Sequence, residues 1–176
     1  MRQLNGTGLK RLHRSWRQRP VPRLGVLLES VQSPANVGSV IRTAASWRVD
    51  HLWCAAGATT PANARVGKTA LGTDRYLPWT EHEDLAGALT AIRADGYRIV
   101  GLELADEAEA ITDADLSGDV CLAVGHEDRG LSKALLDACD QVVYLPQLGR
   151  VGSLNVAVAT AVALWEIRRR AWEATG

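Results

Sequence analysis

The sequence predicts an α/β fold, a mainly parallel sheet flanked by helices, and three observations carry that prediction. Short continuous apolar runs, such as 24–28 and Val120–Val124, have the composition of strands buried on both faces. They alternate with segments whose apolar residues recur at helical spacing, such as Val37, Val40, Ile41 and Ala44. Clusters of glycine, proline and polar residues separate the two kinds of segment. With 176 residues and 47% hydrophobic content the chain fits one globular domain.

In chain order, Asn5-Gly6-Thr7-Gly8 breaks up the start, and 9–19 forms a short basic helix that Pro20 and Pro22 stop. The first strand is 24–28. Ser33-Pro34 opens the next helix, which carries the apolar face named above. His51–Ala55 is the second strand, and 57–68 reads as an exposed loop. Leu85, Leu89 and Ile92 mark a helix that ends near Asp95-Gly96. Strands over 97–104 and Val120–Val124 follow, then a helix over 132–138, a fifth strand over 141–145 and a long final helix over 155–171. Two parts are expected: a basic N-terminal arm, 1–22, and an α/β domain, 23–176.

The net charge is zero, but it is unevenly spread. Residues 1–24 hold seven Lys or Arg and no acid, which leaves thirteen basic against twenty acidic residues in the remainder. A basic arm on an acidic body suits a polyanionic partner. Cys54, Cys121 and Cys139 are odd in number, far apart and without a C-x-x-C pair, so they read as free thiols in a reducing cytoplasm. No apolar run approaches the ~20 residues that cross a bilayer, and no secretory signal is apparent. Four scattered histidines offer no metal-ligand spacing, so no metal is expected. There is no strand-linked G-x-G-x-x-G with an acidic partner, which argues against a nicotinamide enzyme.

Three segments carry the chemistry. The first runs over 29–44, with Asn36 and Arg42 in N-x₅-R spacing. The second is Val124-Gly125-His126-Glu127-Asp128-Arg129-Gly130-Leu131-Ser132. The third is Leu145-Pro146-Gln147-Leu148-Gly149-Arg150-Val151-Gly152-Ser153-Leu154-Asn155. In each, a strand or helix start meets short polar side chains and glycine, an arrangement that lets a ligand approach main-chain amides closely. In this order they resemble the three motifs of the SpoU/TrmH family of RNA ribose 2′-O-methyltransferases, over roughly 23–168. His126 and Thr73 depart from the family pattern, which more usually has asparagine and alanine there.

The resemblance implies S-adenosylmethionine as cofactor, a deep trefoil knot in the C-terminal part and a homodimer. Arg42, Asn36, Glu127, Ser153 and Asn155 fall at the family's catalytic positions. A guanidinium pKa above about 12 makes Arg42 a binder of phosphate and of developing alkoxide charge, with base action left open. Gly38, one turn before Arg42, would leave room for a ligand. Asn36 either caps the helix or holds the active-site loop, and Glu127 either pairs with Arg42 or organises its own loop. Ser153 and Asn155 are each a helix cap or a ligand contact. By position, Leu104, Gly125, Leu145, Ser153 and Leu154 would hold the cofactor, largely through the main chain.

Arg11, Arg14, Arg17, Arg42, Arg65 and Lys68 are the candidate RNA contacts, and 68–74 reads as a loop and helix start beside the site. The expected function is a cytoplasmic RNA ribose 2′-O-methyltransferase. Transfer RNA is the preferred substrate because the chain lacks a separate N-terminal RNA-binding domain. Ribosomal RNA and a non-catalytic RNA-binding role are the alternatives.

Overall fold

The computed structural model describes residues 3–174, so Met1 and Arg2 of the basic arm and the last two residues lie outside it. Seven strands form one sheet in the order β3-β2-β1-β6-β4-β7-β5. They are β1 (Leu24–Glu29), β2 (His51–Ala55), β3 (Trp79–His82), β4 (Arg98–Leu102), β5 (Glu109–Ala110), β6 (Val120–Val124) and β7 (Gln141–Tyr144). Every neighbouring pair is parallel. Central β1 and β6 are buried along their whole length, which is why their sequences read as unbroken apolar runs.

Side chains alternate across the sheet. Leu24, Val26 and Leu28 face one layer, where α2 (Pro34–Ser46), α3 (Ala64–Ala70) and α6 (Val156–Glu173) pack through residues such as Val37, Ile41, Val66, Leu164 and Ile167. Leu27, Trp53, Ile99 and Cys121 face the other, covered by Ala88 and Ile92 of α4 (Leu85–Ala94) and Leu135 of α5 (Lys133–Ala138). The two helical layers leave the carboxyl ends of the strands as the place where loops gather.

Four local expectations are corrected. The segment 57–68 is not all loop: Asn63 caps α3 by accepting from Arg65 N, and Val66 and Ala70 are buried. The stretch 68–74 ends a helix where one was expected to start. Leu71 closes α3 in the left-handed conformation, and a single 3-10 turn, Asp74–Tyr76, follows. Strands β3 and β5 were not foreseen, because β3 is a polar, half-exposed edge and β5 has only two residues. At the start, α1 spans Gly6–Arg17, since Asn5 Oδ1 accepts from Gly8 N at 2.9 Å and caps a helix that the glycines were expected to prevent.

Helix α1 rests on the body through Trp16, which meets Trp172 edge-on with ring centroids 5.3 Å apart. Arg48 donates to the carbonyls of Arg17 and Arg19. Arg168 is almost wholly buried and spends its guanidinium on the carbonyls of Pro22, Trp47 and Arg48, which ties α6 to the end of α2 and to the segment entering β1.

Candidate active site

The three sequence motifs meet at the carboxyl ends of β1, β6 and β7. Ser33 caps α2 and Pro34 takes its first position, so Asn36 is released from capping. Its amide Nδ2 donates to Glu127 Oε1 at 3.0 Å, while its Oδ1 accepts from Asn155 Nδ2 at 3.0 Å. Asn155 is the cap of α6, its Oδ1 accepting from Ala157 N at 2.9 Å and Val158 N at 3.3 Å. A carboxylate accepts only, and helix-terminal N–H groups donate only, so both ends of this chain fix which way each amide points.

Glu127 also accepts from Ser33 N at 2.9 Å and Gln32 N at 3.1 Å. Partial burial would raise its pKa, but the donors from Asn36, Ser33 and Gln32 together outweigh that and hold the carboxyl below its ordinary value. With these donors in place Glu127 organises the loop, and among the described residues it makes no ion pair with Arg42. Arg42 is exposed on α2 and has no side-chain hydrogen bond or ion pair among the described residues. Gly38 does not make room for a ligand. A Cβ there would stand 2.7 Å from Thr69 Cβ and 2.8 Å from Val66 O, so the glycine allows α2 and α3 to touch.

Beside this cluster lies an open cavity of about 290 Å³. All five residues expected to hold the cofactor line it: Leu104, Gly125, Leu145, Ser153 and Leu154. Leu102, Val124, Val156 and Ala159 extend its apolar wall, and the loop from His126 to Gly130 forms a second wall. Gly125 and Gly130 are required there, because a Cβ on Gly125 would overlap the Gly130 carbonyl and one on Gly130 (φ 67°) would overlap the Glu103 carboxylate. His126 exchanges backbone hydrogen bonds with Gly130, and its Nδ1 accepts from Asp128 N at 3.1 Å.

Gln147, a residue of the lining, has its Oε1 buried without a hydrogen-bond partner among the described residues, and Ser153, which does not cap α6, also lines the cavity. A cleft lined by polar as well as apolar groups, with one orphaned acceptor among the described residues, fits a nucleoside-sized ligand such as the S-adenosylmethionine adenosine. Sequence reasoning missed Glu103 and Gln147. Gln147 lay inside a quoted motif, whereas nothing local marks Glu103.

The remaining basic candidates stand elsewhere. Arg65 and Lys68 are exposed on α3, the helix that packs on Gly38. Arg11, Arg14 and Arg17 sit on α1, whose Trp16 touches Trp172 near the far end of α6. At 1.5 Å per residue that is about 25 Å along the helix from Asn155. The arm and the polar cluster are therefore separate within one chain. Among the described residues no group of three metal-ligating side chains is assembled, and no helix is long and apolar enough to cross a membrane.

The sequence profile of the SpoU rRNA methylase family matches residues 23–165. Over 152 residues the chain is 31% identical to the tRNA (guanosine(18)-2′-O)-methyltransferase of Escherichia coli strain K12, covering 85% of this chain and 64% of that one. It is 36% identical over 148 residues to a 23S rRNA (guanosine-2′-O-)-methyltransferase of Xanthomonas axonopodis pv. citri, covering 84% and 59%. The crystal structure of an S-adenosylmethionine-bound rRNA methyltransferase from Sinorhizobium meliloti superposes with a TM-score of 0.80 at 27% identity, covering 86% of this chain and 58% of that one. The chain spans about half to two thirds of the length of the curated relatives it matches.

Proposed function

The chain belongs to the SpoU methylase family, and from that membership we propose that it is an S-adenosylmethionine-dependent RNA ribose 2′-O-methyltransferase. The observation that carries the proposal is the hydrogen-bonded series Glu127–Asn36–Asn155, which joins all three motifs at the rim of the cavity. A surface loop needs no such link across the fold. A site that must hold a sugar hydroxyl in line with a methyl group does.

Bound S-adenosylmethionine supplies a methyl group on a positively charged sulfur, already activated for transfer. In this reading Leu104, Gly125, Leu145 and Leu154 hold the adenosine part between their main-chain groups and apolar side chains. Gln147 Oε1, which lacks a donor among the described residues, accepts from the ligand. Ser153 stands at the same wall as a hydroxyl that can hydrogen-bond near the reacting centre.

Arg42 grips the phosphate next to the target ribose and stabilises negative charge on the 2′-oxygen as the O–methyl bond forms, the methyl–sulfur bond breaks and the hydroxyl proton passes to solvent. Its exposure, and the lack of a side-chain partner among the described residues, leave the guanidinium available for that task. Asn36 and Asn155 fix the frame in which α2 presents Arg42, and Glu127 anchors that frame to the second motif.

Transfer RNA is the first substrate proposed. Helix α1 carries Arg11, Arg14 and Arg17 about 25 Å from the cluster, a span that a compact folded RNA can bridge by its phosphates. A homodimer, in which the partner's arm can lie nearer this site, belongs to the same reading, as does the knotted path of the C-terminal segment. Ribosomal RNA is the second reading, favoured by the likeness to the Xanthomonas enzyme. Incubation with methyl-labelled S-adenosylmethionine and purified transfer or ribosomal RNA, followed by nucleotide-resolution mapping of 2′-O-methyls, tests the proposal. The expected result is label on a ribose of transfer RNA. Label on ribosomal RNA alone selects the second reading, label on a base overturns the 2′-O assignment, and no label on either RNA overturns the enzyme.

A further inference from the structure

Glu103 follows directly on β4 and is one of the residues that line the cavity. Oε2 accepts from Leu131 N at 2.9 Å and Oε1 from Leu104 N at 2.9 Å. Among the described residues it makes no ion pair. Its carboxylate fills the space over Gly130, where any side chain would collide with it. The next amide, Ser132 N, is taken by a second carboxylate, Glu29 Oε2 at the end of β1, at 2.8 Å. Two consecutive amides are thus bolted to the ends of two different strands. Glu29 also accepts from Ser132 Oγ and lies outside the cavity lining, so its bond sets the start of α5. Glu103 faces the cavity itself.

We infer that Glu103 is a positioning residue of the cofactor pocket: by accepting from Leu131 N, just behind the lining, it holds the wall that ends at Gly130 in the shape that binds S-adenosylmethionine. The inference rests on the methyltransferase reading above. Removing the carboxylate leaves Leu131 N without its acceptor and Gly130 without the group packed over it. The wall then relaxes toward the open space of the cavity. A pocket depends on where its wall stands, so the loss falls on cofactor affinity rather than on the chemistry at Arg42.

Calorimetric titration of the full chain with S-adenosylmethionine and with S-adenosylhomocysteine tests this. Wild type binds both, and Glu103→Ala binds both at least about tenfold more weakly, equivalent to about 1.4 kcal/mol. Glu103→Gln falls between them, because its amide oxygen still accepts from Leu131 N while its NH₂ faces Leu104 N. In turnover assays the KM for the cofactor rises, whereas kcat and the KM for RNA stay at wild-type values, a split that general destabilisation would not give. Wild-type affinity in Glu103→Ala, or a fall in kcat with the cofactor KM unchanged, overturns the inference. Where the alanine variant fails to fold, Glu103→Gln decides, and wild-type affinity there overturns it. Wild type that binds neither compound defeats the methyltransferase reading and this inference together, whereas binding by wild type with no effect of the substitutions defeats this inference alone.

Discussion

Asn155 Nδ2 donates to Asn36 Oδ1 at 3.0 Å across a separation of 119 residues, which joins the cap of the last helix to the first turn of the second. Each asparagine serves two masters. Asn155 also caps α6, and Asn36 also holds Glu127. Groups that share a network of this kind lose more together than their bonds would separately suggest.

The two asparagines should therefore behave as one unit. Asn36→Ala and Asn155→Ala are each expected to lower turnover about 10²-fold through misplacement of the site. The double variant should lose little more activity than either single one. Stability should fall by about 1 kcal/mol for the lost cap in Asn155→Ala. Single-turnover rates and urea unfolding of the four proteins form the cycle, and strictly multiplicative rate losses would show that the two residues act independently.

Arg42 stands exposed on α2 with no side-chain partner among the described residues, so the proposed role in chemistry is separable from any contribution to stability. Arg42→Ala should abolish measurable methyl transfer, a loss of at least about 10²-fold, while unfolding and cofactor binding stay at wild-type values. Arg42→Lys should recover only part of the activity, because a point charge cannot reproduce a planar fork on a phosphate. Activity in Arg42→Ala close to wild type would remove the residue from the site.

The Glu127 carboxyl gives a pH signature whose sign follows from its environment. Its pKa is lowered on folding from an ordinary 4.5, because the donors from Asn36, Ser33 and Gln32 outweigh the effect of burial. A lowered folded pKa means that the charged form is favoured in the native state. Its contribution to stability is complete above about pH 4.5 and is lost as pH falls through the lowered value. Comparing wild type with Glu127→Gln, the advantage of wild type should be constant from pH 7 to 5 and shrink below 4.5. A difference that stays level down to pH 3 would show that these hydrogen bonds do not favour the ionised carboxyl.

How much of this was legible beforehand depended on range. The runs that became β1 and β6 are buried on both faces, so composition alone marked them. Ser33-Pro34 announced the start of α2 for a local reason, capping followed by a first-turn proline. Helix α3 escaped notice because it offers two buried anchors, Val66 and Ala70, with Gly67 between them. Helical spacing put Gly38 and Arg42 on neighbouring positions, but only the fold shows that Thr69 and Val66 occupy the space over Gly38. The motifs located the pocket, whereas Glu103 stood in no motif, since its partners Gly130 and Leu131 come from another strand's loop. Glu127 was open between two duties, and the main-chain donors from Gln32 and Ser33 decide for the loop.

The basic arm offers the last prediction, one that can be made without removing the helix. Deleting residues 1–19 would strip Trp16 from Trp172 and release Arg48 from two carbonyls, so weaker RNA binding by a truncated chain would be ambiguous. Arg11 and Arg14 avoid this, because both are exposed and neither side chain makes a hydrogen bond or ion pair among the described residues. Replacing both by Ala leaves helix propensity intact. If each neutralises one phosphate, the slope of log K against log salt should become shallower by about 1.4 to 1.8, with affinity at low salt reduced and cofactor affinity unchanged. Nitrocellulose-filter or anisotropy titrations of transfer RNA at several salt concentrations measure that slope. An unaltered slope with intact helix content would show that α1 does not touch the RNA backbone, and the acidic body would then need its counter-charge from Arg42, Arg65 and Lys68.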